Sequence, residues 1–139
     1  MDRILEIGAY SAGFCGRLFA HAGHAVTRVE STQPPAWASQ DAMSLFLHPG
    51  KRRLYADPSR FGDLAAEADI VIVEAETAEA AYALGFEHWT TPVKVVITPF
   101  GLTGPKRNWR ATPSTLLAMG GYSPVSYTHL RAHETFGYL

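Results

Sequence analysis

Four short apolar runs, Arg3–Ile7 (RILEI), Ala25–Glu30 (AVTRVE), Ile70–Val73 (IVIV) and Val93–Thr98 (VKVVIT), recur along the chain with helix-like segments between them. Runs this short and this continuously apolar are what strands become when a sheet is covered on both faces. The segments between them supply the covers. Gly13–Ala22 carries Phe14, Leu18, Phe19 and Ala22 near helical spacing, and Gly23 sits where a helix stops. Asp41 is placed to cap a short helix, Ala42–Leu47, which Pro49-Gly50 ends. Lys51–Ala56 reads as a further strand, and Asp57-Pro58-Ser59 opens a helix around Phe61–Ala66. Thr77–Leu84 is alanine-rich and helical up to Gly85, and Thr112-Pro113 starts a helix over Ser114–Met119. Ser31–Ser39, with two prolines and Trp37, and the turn-rich Pro99–Pro105 read as loops. Strands alternating with helices predict right-handed crossovers and an α/β, doubly wound parallel sheet.

Composition narrows the functional classes. A chain of 139 residues suits one domain, and 47% hydrophobic with 18% charged residues is a globular balance, not a disordered one. Twelve Lys and Arg against 13 Asp and Glu leave a net charge of −1, which gives no field for capturing nucleic acid or an anionic membrane. No apolar run reaches the roughly 20 residues of a membrane span. The start, Met-Asp-Arg-Ile-Leu-Glu, lacks the basic-then-apolar order of a signal peptide. The single cysteine, Cys15, excludes an internal disulfide and a cysteine-based metal site. The expectation is a soluble, cytoplasmic domain.

Three stretches can carry chemistry. Gly8–Gly16 (GAYSAGFCG) joins the first strand to the first helix, where a glycine-rich turn lets backbone N–H groups approach a ligand. Its spacing is not Gly-x-Gly-x-x-Gly, so the dinucleotide fingerprint fails, and turn and packing glycines remain the alternative. Glu30 ends the second strand, where an acid can grip a ribose. Gly50-Lys51-Arg52-Arg53, with Arg60 shortly after, offers cations for a polyphosphate, against the alternative of a solvated charged surface. Phe100–Arg110 is a glycine-containing loop after a strand, trailed by cations and Trp109.

Other residues read more plainly. Cys15 has no His or Asn partner in sight and reads as a small packing residue; His21, His24, His48 and His88 are scattered. No Ser-His-Asp order and no Gly-x-Ser-x-Gly elbow occurs. Glu74, Glu76 and Glu79 follow the fourth strand and read as acids at a helix start, stabilised by its dipole. His129, His133 and Glu134 near the C-terminus are not in His-Glu-x-x-His order and lack a third ligand, so no metal is expected.

Taken in order, the motifs resemble the N-terminal part of the class III CoA-transferases, the family of formyl-CoA, carnitine-CoA and bile-acid CoA transferases. They are Ile4-Leu5-Glu6 through Ala12-Gly13, His24–Glu30 (HAVTRVE), Gly50-Lys51-Arg52 ahead of Leu54 and Asp57, Ala68–Glu74 (ADIVIVE) and Leu84-Gly85-Phe86. Ile97 with Phe100-Gly101-x-x-Gly104-Pro105 completes the set, and this last motif is the most specific. The resemblance runs over residues 3–121. Val125–Thr135 (VSYTHLRAHET) instead resembles one reading frame of the transposase adapter used in preparing DNA sequencing libraries. The expected organisation is therefore a partial large domain over residues 1–124 and a foreign tail over 125–139.

The resemblance implies a Rossmann-like domain that binds CoA or an acyl-CoA as substrate, with a carboxylic acid as acceptor. It places part of CoA at the backbone of Ser11 and Ala12, and the adenosine and phosphates near Ala56 to Arg60, with Lys51, Arg52 and Arg110 as further cations. Where the family usually reads Asn-Phe-Arg-Pro-Gly after the fourth strand, this chain has Ala75-Glu76-Thr77-Ala78-Glu79, without the arginine. The usual Asp beyond Arg110 is replaced by Pro113 or Ser114. The implied mechanism uses an aspartate nucleophile beyond Gly120-Gly121, and no Asp follows Asp69, so no catalytic residue is expected in this chain. Full-length members form interlocked homodimers, which this chain is not expected to form. Two alternatives stay open: an α-methylacyl-CoA racemase-like member of the family, and a non-catalytic CoA- or nucleotide-binding module.

Overall fold

The computed structural model describes residues 1–30 and 42–122. The Ser31–Ser39 loop, the Asp41 cap, and the tail with His129, His133 and Glu134 lie outside the described residues. The chain divides into two compact units, Met1–Asn108 and Trp109–Leu139.

The first unit is built on five parallel strands, β1 (Arg3–Ile7), β2 (Ala25–Glu30), β3 (Arg52–Tyr55), β4 (Ile70–Glu74) and β5 (Val93–Ile97), in the order β3-β2-β1-β4-β5. The doubly wound parallel sheet expected from the alternating runs is present. Ile7 pairs with Val29 on one side and Val73 on the other, so β1 lies at the centre. α1 (Tyr10–His21), α2 (Ala42–Leu47), α3 (Phe61–Ala66, after a 3-10 turn at Pro58–Arg60) and α4 (Ala78–Ala83) connect the strands.

Burial on both faces explains why the central strands β1 and β4 do not alternate with polar residues, whereas β5, at the sheet edge, is exposed at Val93–Val95. Ile4, Val26 and Ile72 pack on one face with Ala12, Cys15 and Phe19 of α1. Leu5, Ile7, Val29, Val71 and Val73 pack on the other with Phe61 and Ala65 of α3. Val71, Ile72 and Val73 are at most 1% exposed, and burying each such side chain is worth about 1.5–3 kcal/mol. At the strand-starting end, Asp69 accepts the Arg3 backbone N–H at 2.8 Å and fixes β4 against β1. Those hydrogen bonds hold its carboxyl below the usual value.

Two element ends differ from expectation for local reasons. β3 begins at Arg52 because the Lys51 N–H closes a turn onto the His48 carbonyl. α4 begins at Ala78 because Thr77 is its cap, accepting the Ala80 N–H on its hydroxyl at 3.1 Å. In the second unit, α5 (Pro113–Met119) is capped in the same way by Thr112, which accepts from Thr115 N–H.

Candidate functional site

α1 starts at Tyr10, ahead of the Gly13 start expected from side-chain spacing. Its first amides have a partner that no local pattern shows. Glu74, the last residue of β4, places Oε2 2.9 Å from the Ala9 N–H and 3.0 Å from the Ala12 N–H. Gly8 makes the approach possible. Its φ is +151°, and a Cβ there would lie 2.5 Å from the Glu74 Cβ and 3.1 Å from the Glu74 backbone nitrogen. This junction lies between β1 and β4, where the connections leave the sheet in opposite directions. In open α/β sheets ligands bind at that switch point, beyond the carboxyl ends of the strands.

Beneath α1 lies a second carboxylate with no exposure to solvent. Glu6, in the middle of β1, accepts from Lys51 Nζ at 2.5 Å and from the Arg28 guanidinium at 2.9 Å. Arg28 is its register partner on β2 and also binds Glu30 at 2.7 Å. The Lys51 side chain is itself fully buried and donates to the Gly13 carbonyl at 2.7 Å, tying the sheet to α1. A glycine makes room for the pair: a Cβ on Gly16 would collide with Glu6 Oε2. Burial pushes the Lys51 ammonium below its ordinary pKa, while its hydrogen bond to Glu6 pulls the other way.

Two neighbours feel this network. His48 is pushed down to about 4, first by burial and then by the positive charges of Arg28, Lys51 and Arg53, so at neutral pH it is an uncharged imidazole. Its buried Nδ1 has no hydrogen-bond partner among the described residues. The Cys15 thiol is pushed up by burial and by Glu6, so it is held as the thiol and is a poor nucleophile.

The loop after β5 returns to the start of α4. The Arg107 carbonyl accepts the Ala78 N–H at 3.0 Å, and Asn108 Oδ1 accepts the Glu79 N–H at 3.1 Å. Beside these contacts, Tyr82, Thr103, Gly104 and Arg107 line an open groove of about 480 Å³. A second groove of the same volume lies at the opposite edge, where the strands begin, and Arg52 lines it with Arg3 and Leu54.

The residues singled out in the sequence therefore fall in different places. Ser11 is exposed in the first turn of α1, whereas Ala12 is buried with its N–H given to Glu74. Ala56 is buried just beyond β3, its N–H given to the Glu30 carbonyl, and Arg60 is exposed in the 3-10 turn that follows. Lys51 is buried against Glu6, and Arg52 is exposed at the strand-starting edge. Arg110 is an exposed residue of the second unit. Sequence reasoning missed the Glu6–Arg28–Lys51 network. The available signal was an acid inside an apolar strand run, which demands a buried cation. Among the described residues no cluster of His, Cys, Asp or Glu is arranged to hold a metal ion, and no helix is long and apolar enough to cross a membrane.

No protein-family model matches the chain. Over 71 residues, 48% of this chain, it is 41% identical to a protein of Mycobacterium tuberculosis described as a probable CoA-transferase. The crystal structure of a CaiB/BaiF family protein from Brucella suis superposes over 86% of this chain with a TM-score of 0.71 and 22% identity, which shows the shared fold. The resemblance to CoA-transferases read from the motifs is thus matched by a named relative, and the fold by a solved neighbour. The chain spans 9% of the length of the curated relative and 38% of the solved one.

Proposed function

We propose that this chain is part of a class III CoA-transferase, which moves CoA from an acyl-CoA donor to a carboxylic acid acceptor, and that its sheet carries the CoA-binding side of that site. The observation that supports this most is the 41% identity to a probable CoA-transferase over 71 residues. In this reading an aspartate attacks the thioester carbonyl and releases the CoA thiolate, leaving an acyl–aspartyl anhydride. The thiolate then attacks the aspartyl carbonyl and expels the donor acid, and the acceptor carboxylate repeats the sequence in reverse order. No aspartate follows Asp69. The reading accordingly assigns binding and orientation to these residues, and the covalent step to a carboxylate elsewhere in the enzyme.

Ser11 and Arg60, both exposed, are the contacts this reading assigns to CoA in the first unit; Arg52, at the opposite edge where the strands begin, is not among them. Lys51 contributes indirectly, because its donors go to Glu6 and the Gly13 carbonyl and hold α1 on the sheet. An exposed guanidinium contributes about 0.2–1 kcal/mol to an ion pair. Arg60→Ala should therefore weaken CoA by up to about fivefold. The test is a calorimetric CoA titration at two salt concentrations, with adenosine as the uncharged control. Binding that is insensitive to both salt and Arg60→Ala would remove the phosphate assignment, and no CoA binding at all would remove the reading.

A further inference from the structure

We infer that Glu74 is a built-in anion that closes the N-terminal end of α1, so that the charged group of any ligand at this crevice is directed away from the helix. The first turn of a helix offers unpaired N–H groups and a partial positive charge, and glycine-rich strand–helix junctions use both to hold a phosphate. Here the same elements are present: a central strand, a glycine with positive φ, a 12-residue helix and a topological switch point. Two of these donors, however, converge on a carboxylate of the chain itself. Ala9 and Ala12 both donate to one oxygen of Glu74.

Three further observations make this a designed closure. α1 has no acidic residue in its first turn, and Ala9 at its cap position provides no side-chain acceptor, so the anion comes from another strand. Gly8 lets that strand come close, since any side chain there would strike Glu74. The register fixes the position: Ile7 pairs with Val73, so Gly8 and Glu74 are the next residues beyond that pair. An external phosphate would have to displace a tethered carboxylate whose strand is locked into the sheet, and would then sit beside its negative charge. Glu74 is on this account a specificity-determining residue: it bars anions from the amides of Ala9 and Ala12 and leaves recognition of a charged group to side chains farther out. The inference rests on geometry alone and holds for any anionic ligand, so a failure to bind CoA does not touch it.

The experiment compares the 139-residue chain with Glu74→Ala and Glu74→Gln. Inorganic phosphate and acetate are titrated while the backbone amide resonances of Ala9 and Ala12 and the melting temperature are followed. The Ala9 and Ala12 resonances of the unsubstituted chain should stay still. In Glu74→Ala they should move saturably with both anions, and the melting temperature lost to the substitution should be partly restored. If Glu74→Ala does not give a folded spectrum, Glu74→Gln keeps the shape and removes the charge, and phosphate should raise its melting temperature more than that of the unsubstituted chain. Movement of the Ala9 and Ala12 amides in the unsubstituted chain comparable to that in the variant would show the helix end to be open. Equal stabilisation of the unsubstituted chain and Glu74→Gln would overturn the inference in the same way.

Discussion

Lys51→Met is the most informative single perturbation of this fold. Methionine keeps much of the length and the apolar stem of lysine but leaves the Glu6 carboxylate, which has no exposure, without the ammonium 2.5 Å away. Removing one partner of a buried ion pair costs about 3–5 kcal/mol, because the remaining charge is neither solvated nor paired. Arg28 still holds the other Glu6 oxygen at 2.9 Å, which puts the expectation at the lower end, about 3 kcal/mol. The Gly13 carbonyl also loses its donor, a further loss of about 1 kcal/mol. Against a total stability of about 5–15 kcal/mol for a domain of this kind, the variant is close to unfolding. Urea denaturation followed by circular dichroism reads the change. With a loss of about 4 kcal/mol and a slope of about 1–3 kcal/mol per molar urea, the midpoint should fall by about 1.3–4 M. The double variant Glu6→Gln, Lys51→Met should recover part of the loss, because it removes the stranded charge. A single-variant loss below about 1 kcal/mol, or a double variant no better than the single, would show that the pair is solvated and that the buried geometry is wrong.

Two further outcomes follow from the same region. His48 has its pKa lowered to about 4, below the ordinary 6.5, so stability from keeping it neutral is fully present above about 6.5 and is lost as pH falls through about 4. A His48→Asn variant should therefore flatten the acid limb of the stability curve between these values by about 1–3 kcal/mol relative to the parent. Identical pH profiles for parent and variant would contradict the assignment. Gly16→Ala should destabilise by about 1–2 kcal/mol although alanine is the better helix former, because the new Cβ strikes Glu6 Oε2 and stands 3.1 Å from Lys51 Nζ. A thermal melt showing the variant equal to or more stable than the parent would contradict the packing described for that pair.

The sheet was legible because its determinants are local and repeated. β1 and β4 follow runs whose apolar continuity has one simple explanation, burial on both faces, whereas β5 keeps its apolar run although Val93 and Val95 are exposed at the sheet edge. The helix starts were nearly legible as well: Thr77, read as the first residue of its helix, is the cap of α4, one residue away, and the Thr112-Pro113 start holds with Thr112 as cap. What sequence could not show is which acid meets which distant donor. Glu74 was read as the dipole partner of the helix that follows it, and the principle was right while the helix was wrong. The carboxylate serves α1, 62 residues earlier at Ala12, because β4 pairs with β1. Likewise Lys51 looked like one more cation in a surface run. Its neighbour Arg52 is exposed, but the turn onto His48 sends the Lys51 side chain inward to Glu6. One residue of register separates an exposed cation from a core ion pair, and composition cannot resolve that difference.

These assignments bear on where a transfer reaction could take place. A nucleophilic carboxylate must present a free lone pair to a thioester carbonyl and have room for the tetrahedral geometry that follows. Glu6 meets neither requirement: it is fully buried, with one oxygen on Lys51 and the other on Arg28. Glu74 stands at the right end of the sheet, but its Oε2 accepts two backbone amides and is held there by the strand register. Both acids that the fold brings to the sheet centre are therefore committed to building it. Cys15 is no substitute, since burial and the Glu6 charge keep its thiol protonated. On the proposed reading the nucleophile is therefore neither of these acids, and Glu6 and Glu74 serve the site by holding α1 on the sheet. Glu6 variants should accordingly alter folding, and Glu74 variants folding and anion binding.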